Sequence, residues 1–182
     1  MNFLIPTNAE HTLKTERLTL EPIVVEHALE MLPVLNQVEL HRYIPSDPFK
    51  LDQLQKRYKL WEQRISKEKD EVWLNWAARE NHSGELIGHF QAGVRMDSDS
   101  YIAYIVNSKY QRQGYANEAL VEIINFLKNH MKLKNVKAWI DTRNTASISL
   151  VEGLGMKQIG FIKDADFFKD TSSDEYIYEI IF

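Results

Sequence analysis

The sequence predicts a mixed α/β fold in which helices cover both faces of a central, twisted and mostly antiparallel sheet. Three observations support this class. Polar and apolar residues alternate in several short segments, which is typical of strands with one buried face. Two segments before residue 70 and one after residue 115 instead place apolar residues at helical spacing. The last of these helices joins two strand patterns, and such a crossover connects strands that lie parallel.

The elements before residue 107 follow from local sequence patterns. The opening strand stops at Pro22, which has no N–H to donate to a neighbouring strand, and Pro33 is expected to kink or break the first helix. Turns are assigned where Gly, Pro, Asn, Asp and Ser cluster. In chain order, the predictions are a loose lead-in (1–14), an opening strand (15–22), a helix (25–38), a connector (43–49), a second helix (51 to about 67) and three antiparallel strands (72–79, 86–94 and 101–106) separated by turns at 82–84 and 96–100.

After the third of these strands a glycine turn leads into the most regular helical pattern of the chain. Basic residues follow that helix, where cations interact favourably with the negative end of its dipole. The remaining predictions are a helix (116 to about 130), a strand (136–141), a short helix beginning at Asn144, and two closing strands (159–163 and 175–182) joined by an acidic loop (163–174).

Composition narrows the class of protein. The 182 residues suffice for one domain that buries roughly 70% of its unfolded surface. A net charge of −4 argues against nucleic acid or an anionic membrane as the main partner, and it favours cationic acceptors. There is no cysteine, which excludes disulfides and thiolate chemistry. The six histidines are scattered without metal-ligand spacing, and neither a secretory signal nor a membrane-length apolar run is present, so we expect no metal and a cytoplasmic protein.

The glycine turn between the strand at 101–106 and the helix at 116–130 has the character of a phosphate-binding site. A helix that begins just after a strand presents unpaired N–H groups and the positive end of its dipole. Gly114 and Ala116 would let a pyrophosphate approach the backbone closely. The Walker pattern and the dinucleotide Gly-x-Gly-x-x-Gly pattern are both absent.

The spacing Gln111-x-x-Gly114-x-Ala116 resembles the acetyl-CoA loop of the GCN5-related N-acetyltransferase (GNAT) family. The resemblance implies the fold of that family, in which two neighbouring strands splay apart and hold acetyl-CoA between them. It also implies cofactor contacts from the whole turn, namely from Gln111, Arg112, Gln113, Gly114, Tyr115, Ala116 and Asn117.

Two further segments resemble one subgroup, the RimJ/RimL-like ribosomal-protein serine/alanine N-terminal acetyltransferases. Thr15-Glu16-Arg17-Leu18 is similar to its opening phrase. Residues 144–156 are similar to its second cofactor motif, an Asn-x-x-Ser helix closed by Gly-Phe, with Met156 in place of the phenylalanine. The resemblance covers about residues 12–182 and implies a single domain over residues 1–182.

The resemblance implies direct transfer of an acetyl group to a primary amine, either a peptide N-terminus or a small amine such as a polyamine or antibiotic. Asn144 would face the cofactor arm, and Ser147 would protonate or hydrogen-bond the leaving thiolate. The backbone N–H of Ile105 or Val106, at the splay, would polarise the carbonyl. Asp166 falls where the subgroup carries its general base, although aspartate is one methylene shorter than the expected glutamate.

Other interpretations of these residues stay open. Asn144 could simply cap a helix, Asp166 could belong to a solvated acidic loop, and Tyr104 is a second candidate base that could equally be core. The two N-terminal helices and the loop at 163–174 would select the acceptor, with pocket or core as alternative roles for their aromatic residues, Tyr43, Tyr58 and Trp61.

Two other functions compete with the enzyme. The first is a non-catalytic module that binds acyl-CoA as a sensor or holds a partner protein. The second is an unrelated α/β binding domain. Turnover and CoA binding separate the three, and the aromatic content would permit a homodimer.

Overall fold

The computed structural model describes residues 11–95 and 100–182 and contains one eight-stranded sheet with helices on both faces. Two short 3₁₀ turns, Val38–His41 and Ser108–Tyr110, interrupt the connections. The strands are β1 (Leu13–Lys14), β2 (Leu18–Pro22), β3 (Glu71–Glu80), β4 (Leu86–Arg95), β5 (Tyr101–Val106), β6 (Asn135–Asp141), β7 (Lys157–Phe168) and β8 (Thr171–Ile181), and the helices are α1 (His27–Leu35), α2 (Leu51–Trp61), α3 (Tyr115–Asn129) and α4 (Thr145–Gly153).

The strand order across the sheet is β1-β2-β3-β4-β5-β6-β8-β7. All neighbouring pairs are antiparallel except β5 and β6, which are joined through α3 and run parallel. The predicted class, a mostly antiparallel mixed sheet with one parallel crossover, is therefore confirmed.

Helices α1 and α2 cover one face of the sheet, and α3 and α4 cover the other. On the first face Ala28 and Met31 of α1 and Leu54 of α2 are fully buried in a cluster with Ala77 of β3. A larger cluster on the second face contains Leu120, Ile123 and Leu127 of α3, packed with residues of β1 to β6 and β8. The spacing of these α3 residues produces one apolar face, as predicted.

Two element predictions were wrong. Helix α2 ends at Trp61 instead of continuing to about residue 67, because the chain turns at Arg64 (φ 60°) and Ile65 pairs with Val72 at the start of β3. Residues 13–14 form a short strand against β2 instead of a loose lead-in. Pro33 does not break α1, which continues through it to Leu35 and stops short of the predicted end at residue 38. The rest of the lead-in (1–10) and most of the turn at 96–100 (96–99) lie outside the described residues.

The predicted acidic loop at 163–174 was also wrong, because β7 and β8 extend through it as a long hairpin. Lys169 and Asp170 alone form the turn, both with positive φ (51° and 59°), which matches the primed turns that suit the twist of paired strands. Asp166 therefore lies on β7, opposite Ser173 of β8. The tip of the hairpin contacts the connector between α1 and α2, where Lys169 Nζ donates to the carbonyls of His41 and Ile44.

Strands β5 and β6 splay apart. They pair at a single position, Tyr101 with Lys137, where the Lys137 N–H donates to the Ser100 carbonyl at 2.9 Å. Both strands then continue in the same direction without further pairing. This leaves an opening between their C-terminal halves, and that opening lies directly before the glycine turn.

Candidate active site

The glycine turn forms the rim of the splay. Gly114 has a left-handed backbone (φ 84°) and is the N-cap of α3. The first N–H that donates within the helix is that of Glu118, to the Gly114 carbonyl at 3.0 Å. The N–H groups of Tyr115, Ala116 and Asn117 therefore have no intrahelical acceptor, and they coincide with the positive end of the dipole of a 15-residue helix. This end of the splay can hold an anion.

Side chains of the turn hold its shape. Gln111 donates from Nε2 to the Val106 carbonyl at 2.9 Å, and Gln113 donates from Nε2 to the Lys109 carbonyl at 2.7 Å. Arg112 adopts a left-handed backbone (φ 58°), and its side chain is exposed. The side chains of Gln111 and Gln113 therefore stabilise the backbone of the turn. The free N–H groups at the start of α3 instead point away from the turn.

Arg17 joins the opening strand to this turn, a role that the sequence did not reveal. Its guanidinium donates from Nε to Glu118 Oε2 at 2.6 Å and from Nη1 to the Gln113 carbonyl at 3.1 Å, and it lies 4.2 Å from the centre of the Tyr115 ring. Burial opposes ionisation of Glu118, but hydrogen bonds from Thr15 and Arg17 hold the pKa of this carboxyl below its usual range. Residues 15–18 thus place the Arg17–Glu118 ion pair beside the glycine turn.

The register of β4 and β5 determines which backbone groups face the opening. The Asn107 N–H donates to the Ile87 carbonyl, and hydrogen-bonded positions alternate along an antiparallel pair. Ile105 therefore directs its N–H at β4, whereas Val106 and Tyr104 direct theirs at the splay. Of the two predicted backbone donors, only Val106 is oriented toward the opening.

The N-terminus of α4 forms the opposite wall of the splay. Asn144 is its N-cap, and its side-chain oxygen accepts from the Ser147 N–H at 3.2 Å. This capping bond orients the first turn of α4. Ser147 is half-buried there, and the Tyr104 hydroxyl of β5 lies beside its side chain, close enough to interact but outside hydrogen-bond geometry.

The Tyr104 hydroxyl is a buried polar atom with no hydrogen-bond partner among the described residues. Burial raises the pKa of Tyr104, and the Ser147 side chain opposes the rise. The hydroxyl is therefore neutral and can donate a hydrogen bond. Burying an unpaired hydroxyl costs free energy. The position of this hydroxyl beside Ser147 therefore indicates that a polar group of a ligand pairs with it.

Three carboxylates lie together on the other face of the sheet, at the end of β6 where the splay is wide. Glu175 of β8 is opposite Asp141 of β6, and Asp166 of β7 is opposite Ser173, two residues before Glu175. Side chains two residues apart on a strand share a face, so all three acids point the same way. We call this group the acidic cluster.

The members of the acidic cluster differ in environment. Asp141 is buried, and although burial opposes ionisation, bonds from Arg143 and Ser173 hold its pKa below the usual range. Asp166 is exposed and accepts from the Phe167 N–H at 2.7 Å. The Glu175 carboxylate is half-buried and has no hydrogen-bond partner in the described chain. Burial raises the pKa of Glu175, and the charges of Asp166 and Asp141 add to the rise.

A pocket of about 220 Å³ lies on this same face, between α2 and strands β4 and β5. We call it the acceptor pocket. Its floor includes Ile105 beside the splay, and most of its walls are apolar. The walls include Leu35, Ile44, Phe49, Leu54 and Trp61.

His89 lines the acceptor pocket as a neutral group. It is buried, its ring centre is 5.0 Å from that of Trp61, and its Nε2 lies 3.1 Å from Asn75 Oδ1. Burial lowers the pKa of His89 to about 3, and the charge of Arg57 contributes to the decrease. His89 is therefore uncharged at neutral pH.

The sequence allows both pocket and core roles for Tyr43, Tyr58 and Trp61, and the structure distinguishes them. Trp61 lines the acceptor pocket, as one of the two interpretations expected. Tyr58 is fully buried within the cluster under α1 and α2, so it belongs to the core. Tyr43 is half-buried on the connector and does not line the pocket.

Two other findings bear on the class of protein. Among residues 11–95 and 100–182, no group of three or more histidine and acidic side chains is arranged to hold a metal ion. No described helix is both long and apolar enough to cross a membrane.

The parallel strands β5 and β6 splay apart, with the N-terminus of α3 at the mouth of the opening and the Tyr104 and Ser147 hydroxyls beside each other inside it. Such an opening can hold an extended anionic group. The sequence matches the family model of the acetyltransferase (GNAT) domain over residues 17–157. The chain belongs to this family, whose members use acetyl-CoA and transfer its acetyl group.

Similar proteins agree with this assignment. An uncharacterized N-acetyltransferase, p20 of Bacillus licheniformis, is 26% identical over 173 residues, which is 93% of this chain and 96% of that protein. A GNAT-family acetyltransferase from Bacillus anthracis has the same fold, with a TM-score of 0.80 at 22% identity over 94% of this chain and 98% of its own. RimJ of Mycobacterium smegmatis, solved in complex with CoA-disulfide, gives a TM-score of 0.82 at 16% identity, covering 94% and 88% of the two chains.

Proposed function

We propose that this protein transfers an acetyl group from acetyl-CoA directly to a primary amine, with the cofactor held by residues 111–117 and the splay between β5 and β6. One observation carries the proposal: the unpaired N–H groups at the start of α3, the Val106 N–H and the Ser147–Tyr104 hydroxyl pair all border the same opening. A module that only binds CoA would not need a carboxyl group with a raised pKa, such as that of Glu175, beside the place of the acceptor.

The residues present fit acetyl-CoA. The N–H groups of Tyr115, Ala116 and Asn117, with Arg17 close by, would bind the pyrophosphate, and Gly114 keeps this surface free of a side chain. The backbone N–H and carbonyl of Tyr104, which face the splay, would pair with the extended arm of the cofactor as a neighbouring strand does. Asn144 would face the same opening from α4, and its side-chain amide nitrogen, which the capping bond does not use, could donate to the cofactor.

The bound cofactor supplies an activated acyl thioester. The Val106 N–H would polarise its carbonyl oxygen, since a fixed donor aimed at developing negative charge lowers the barrier. Ser147 would hydrogen-bond or protonate the departing thiolate, and the Tyr104 hydroxyl would orient Ser147. On the acceptor side the acidic cluster would attract the ammonium form of the amine, and one of its members would remove one proton so that the neutral nitrogen can attack. The second proton would leave the nitrogen as the amide forms, which balances the proton that the thiolate takes up.

We assign the proton transfer to Glu175 and the tuning of its pKa to Asp166, which modifies the sequence-based assignment of Asp166 as base. Glu175 has no hydrogen-bond partner in the described chain and a raised pKa, so its oxygens are available to an acceptor. The charges of Asp166 and of the ion-paired Asp141 raise the proton affinity of Glu175.

Release of CoA from acetyl-CoA tests the proposed reaction, with small amines, polyamines and peptides with free N-termini as acceptors. We expect acetyl-CoA to bind and at least one primary amine to accelerate CoA release, whereas the corresponding N-acetylated amine does not. Binding without transfer to any amine would favour the non-catalytic module. Absence of binding would contradict both functions.

Ser147→Ala is expected to lower kcat by about 10-fold to 100-fold, the range expected for loss of one positioned donor or acid. Asn144 still caps α4 in this variant, because the capping bond uses the Ser147 backbone. The melting temperature and the Kd for acetyl-CoA should therefore stay close to native. Ser149→Ala, on the exposed side of the same helix, is the control. A native kcat in the Ser147 variant would reject the leaving-group role.

A cytoplasmic location, a single domain over residues 1–182 and a homodimer remain proposals. The absence of cysteine is compatible with the first. The second is compatible with one continuous sheet through the described residues. Sedimentation of the purified protein would decide the third.

A further inference from the structure

The acceptor pocket carries one formal charge, and that charge is positive. Of the described residues that line it, only Arg57 and His89 could be cationic, and none is acidic. His89 is neutral, because burial lowers its pKa to about 3. Arg57 of α2 is therefore the single charged group of this pocket at neutral pH.

Arg57 is held in place by aromatic rings and has no acidic partner among the described residues. Its guanidinium carbon lies 5.0 Å from the centre of the Phe49 ring and 5.5 Å from that of Trp61. The neighbouring acid on the same helix, Asp52, pairs instead with Lys56 at 3.4 Å. Stacking on rings leaves the edge of a guanidinium free, and that edge presents parallel N–H donors to a planar oxyanion.

The charge of Arg57 acts on the inside of the pocket even though its side chain reaches solvent. It contributes to the lowered pKa of His89, which lies on the floor. The remaining walls are mostly apolar, with Trp61 and Phe49 on the Arg57 side and Ile105 beside the splay. A ligand that fills the pocket therefore meets apolar surface in its middle and a cation at its outer end.

Resting on the proposed acetyl transfer, we propose that the acceptor is a small amine that carries a carboxylate, which pairs with Arg57 while an apolar body packs against Trp61. Its amine then lies toward the splay and the acidic cluster. An amino acid or a very short peptide with a free C-terminus has this chemistry. The N-terminus of a folded protein lacks this chemistry, because the carbonyls close to its amine belong to uncharged peptide bonds.

Matched probes test this proposal with binding and turnover as separate readouts. Phenylalanine, leucine and methionine are each compared with their carboxamides, which keep the amine and the side chain but lack the negative charge. An alanine-terminated peptide of ten residues, amidated at its C-terminus, represents a protein N-terminus. Calorimetric titration in the presence of CoA measures binding of each probe, and CoA release from acetyl-CoA measures turnover.

We expect the native protein to bind and acetylate the carboxylate member of at least one pair about tenfold or more better than its amide, the effect of one hydrogen bond to a charged group. In Arg57→Gln this preference should fall to about twofold or less, because activity on the carboxylate member falls more than activity on its amide. Lys59→Gln, an exposed charge on the same helix that does not line the pocket, should behave as native.

Three results would overturn the proposal. One is equal use of acids and amides by the native protein, and another is an equal loss on both in Arg57→Gln, which would show a structural role. The third is a native protein that binds acetyl-CoA but none of the carboxylate probes. Acetylation of the peptide alone would be one form of this result. Failure to bind acetyl-CoA would instead reject the proposed function itself.

Discussion

Gly114→Glu is expected to weaken acetyl-CoA binding by about 100-fold or more, which corresponds to roughly 2.7 kcal/mol. Gly114 caps α3 with a left-handed backbone, and a side chain there would start 3.3 Å from Arg17 Nη2, within the proposed phosphate site. The added carboxylate would repel the pyrophosphate and compete with it for Arg17 and for the helix N-terminus. Calorimetric titration of acetyl-CoA measures the effect.

Two alanine variants separate this electrostatic loss from backbone strain. Gly155 is also left-handed (φ 86°), and a Cβ there would meet nothing within 4 Å. Gly114→Ala and Gly155→Ala should each lose about 1 kcal/mol or more of stability from the strained backbone. Gly155→Ala should bind acetyl-CoA normally, and Gly114→Ala should bind it far better than Gly114→Glu. Native affinity in a folded Gly114→Glu protein would remove the turn from the cofactor site.

Glu175→Gln is expected to lower kcat by about 100-fold or more, since general bases typically contribute 10²–10⁴. The base must be ionised to accept a proton. Because burial and the charges of Asp166 and Asp141 raise the pKa of Glu175, the native rate should rise with pH through a midpoint above the ordinary glutamate value of 4.5. Glu175→Gln should lose this acid limb in a profile of kcat/KM against pH.

The same variant should be more stable than the native protein at neutral pH. A carboxyl whose folded-state pKa is raised binds protons more tightly in the folded protein than in the unfolded chain. Its contribution to stability is therefore complete below the unfolded pKa and is lost as the pH rises through the folded one. Removing the charge should raise the melting temperature at pH 7 and leave it nearly unchanged at pH 4, as measured by thermal unfolding at both pH values.

Asp166→Asn distinguishes the two candidate bases. If Glu175 is the base, removing the neighbouring charge should lower its pKa and move the acid limb to lower pH while most of kcat is retained. If Asp166 is the base, Asp166→Asn should erase the limb and Glu175→Gln should not. Near-native turnover of Glu175→Gln across this pH range would reject our assignment.

Features that depend on local chemistry could be predicted from the sequence. Gly114 marks a left-handed turn because glycine lacks a Cβ, and the apolar spacing after it predicts α3 to within a residue. Asn144 caps α4, the conservative of its two interpretations, because a short polar side chain can accept from the first turn of a helix. The parallel crossover from β5 to β6 followed from the order strand, helix, strand.

Only the tertiary structure decided which distant residues meet. The pairing of β8 with both β6 and β7 brings Glu175 beside Asp141 and Asp166, whereas the sequence predicted a loop around Asp166. The splay sets Tyr104 beside Ser147, and the packing of α2 on β4 sets Arg57 and Trp61 over His89. Periodicity and turn residues report the conformation of a short segment. Strand register and helix packing instead depend on which surfaces bury each other across the whole chain, so the acceptor side of the site emerges only in the fold.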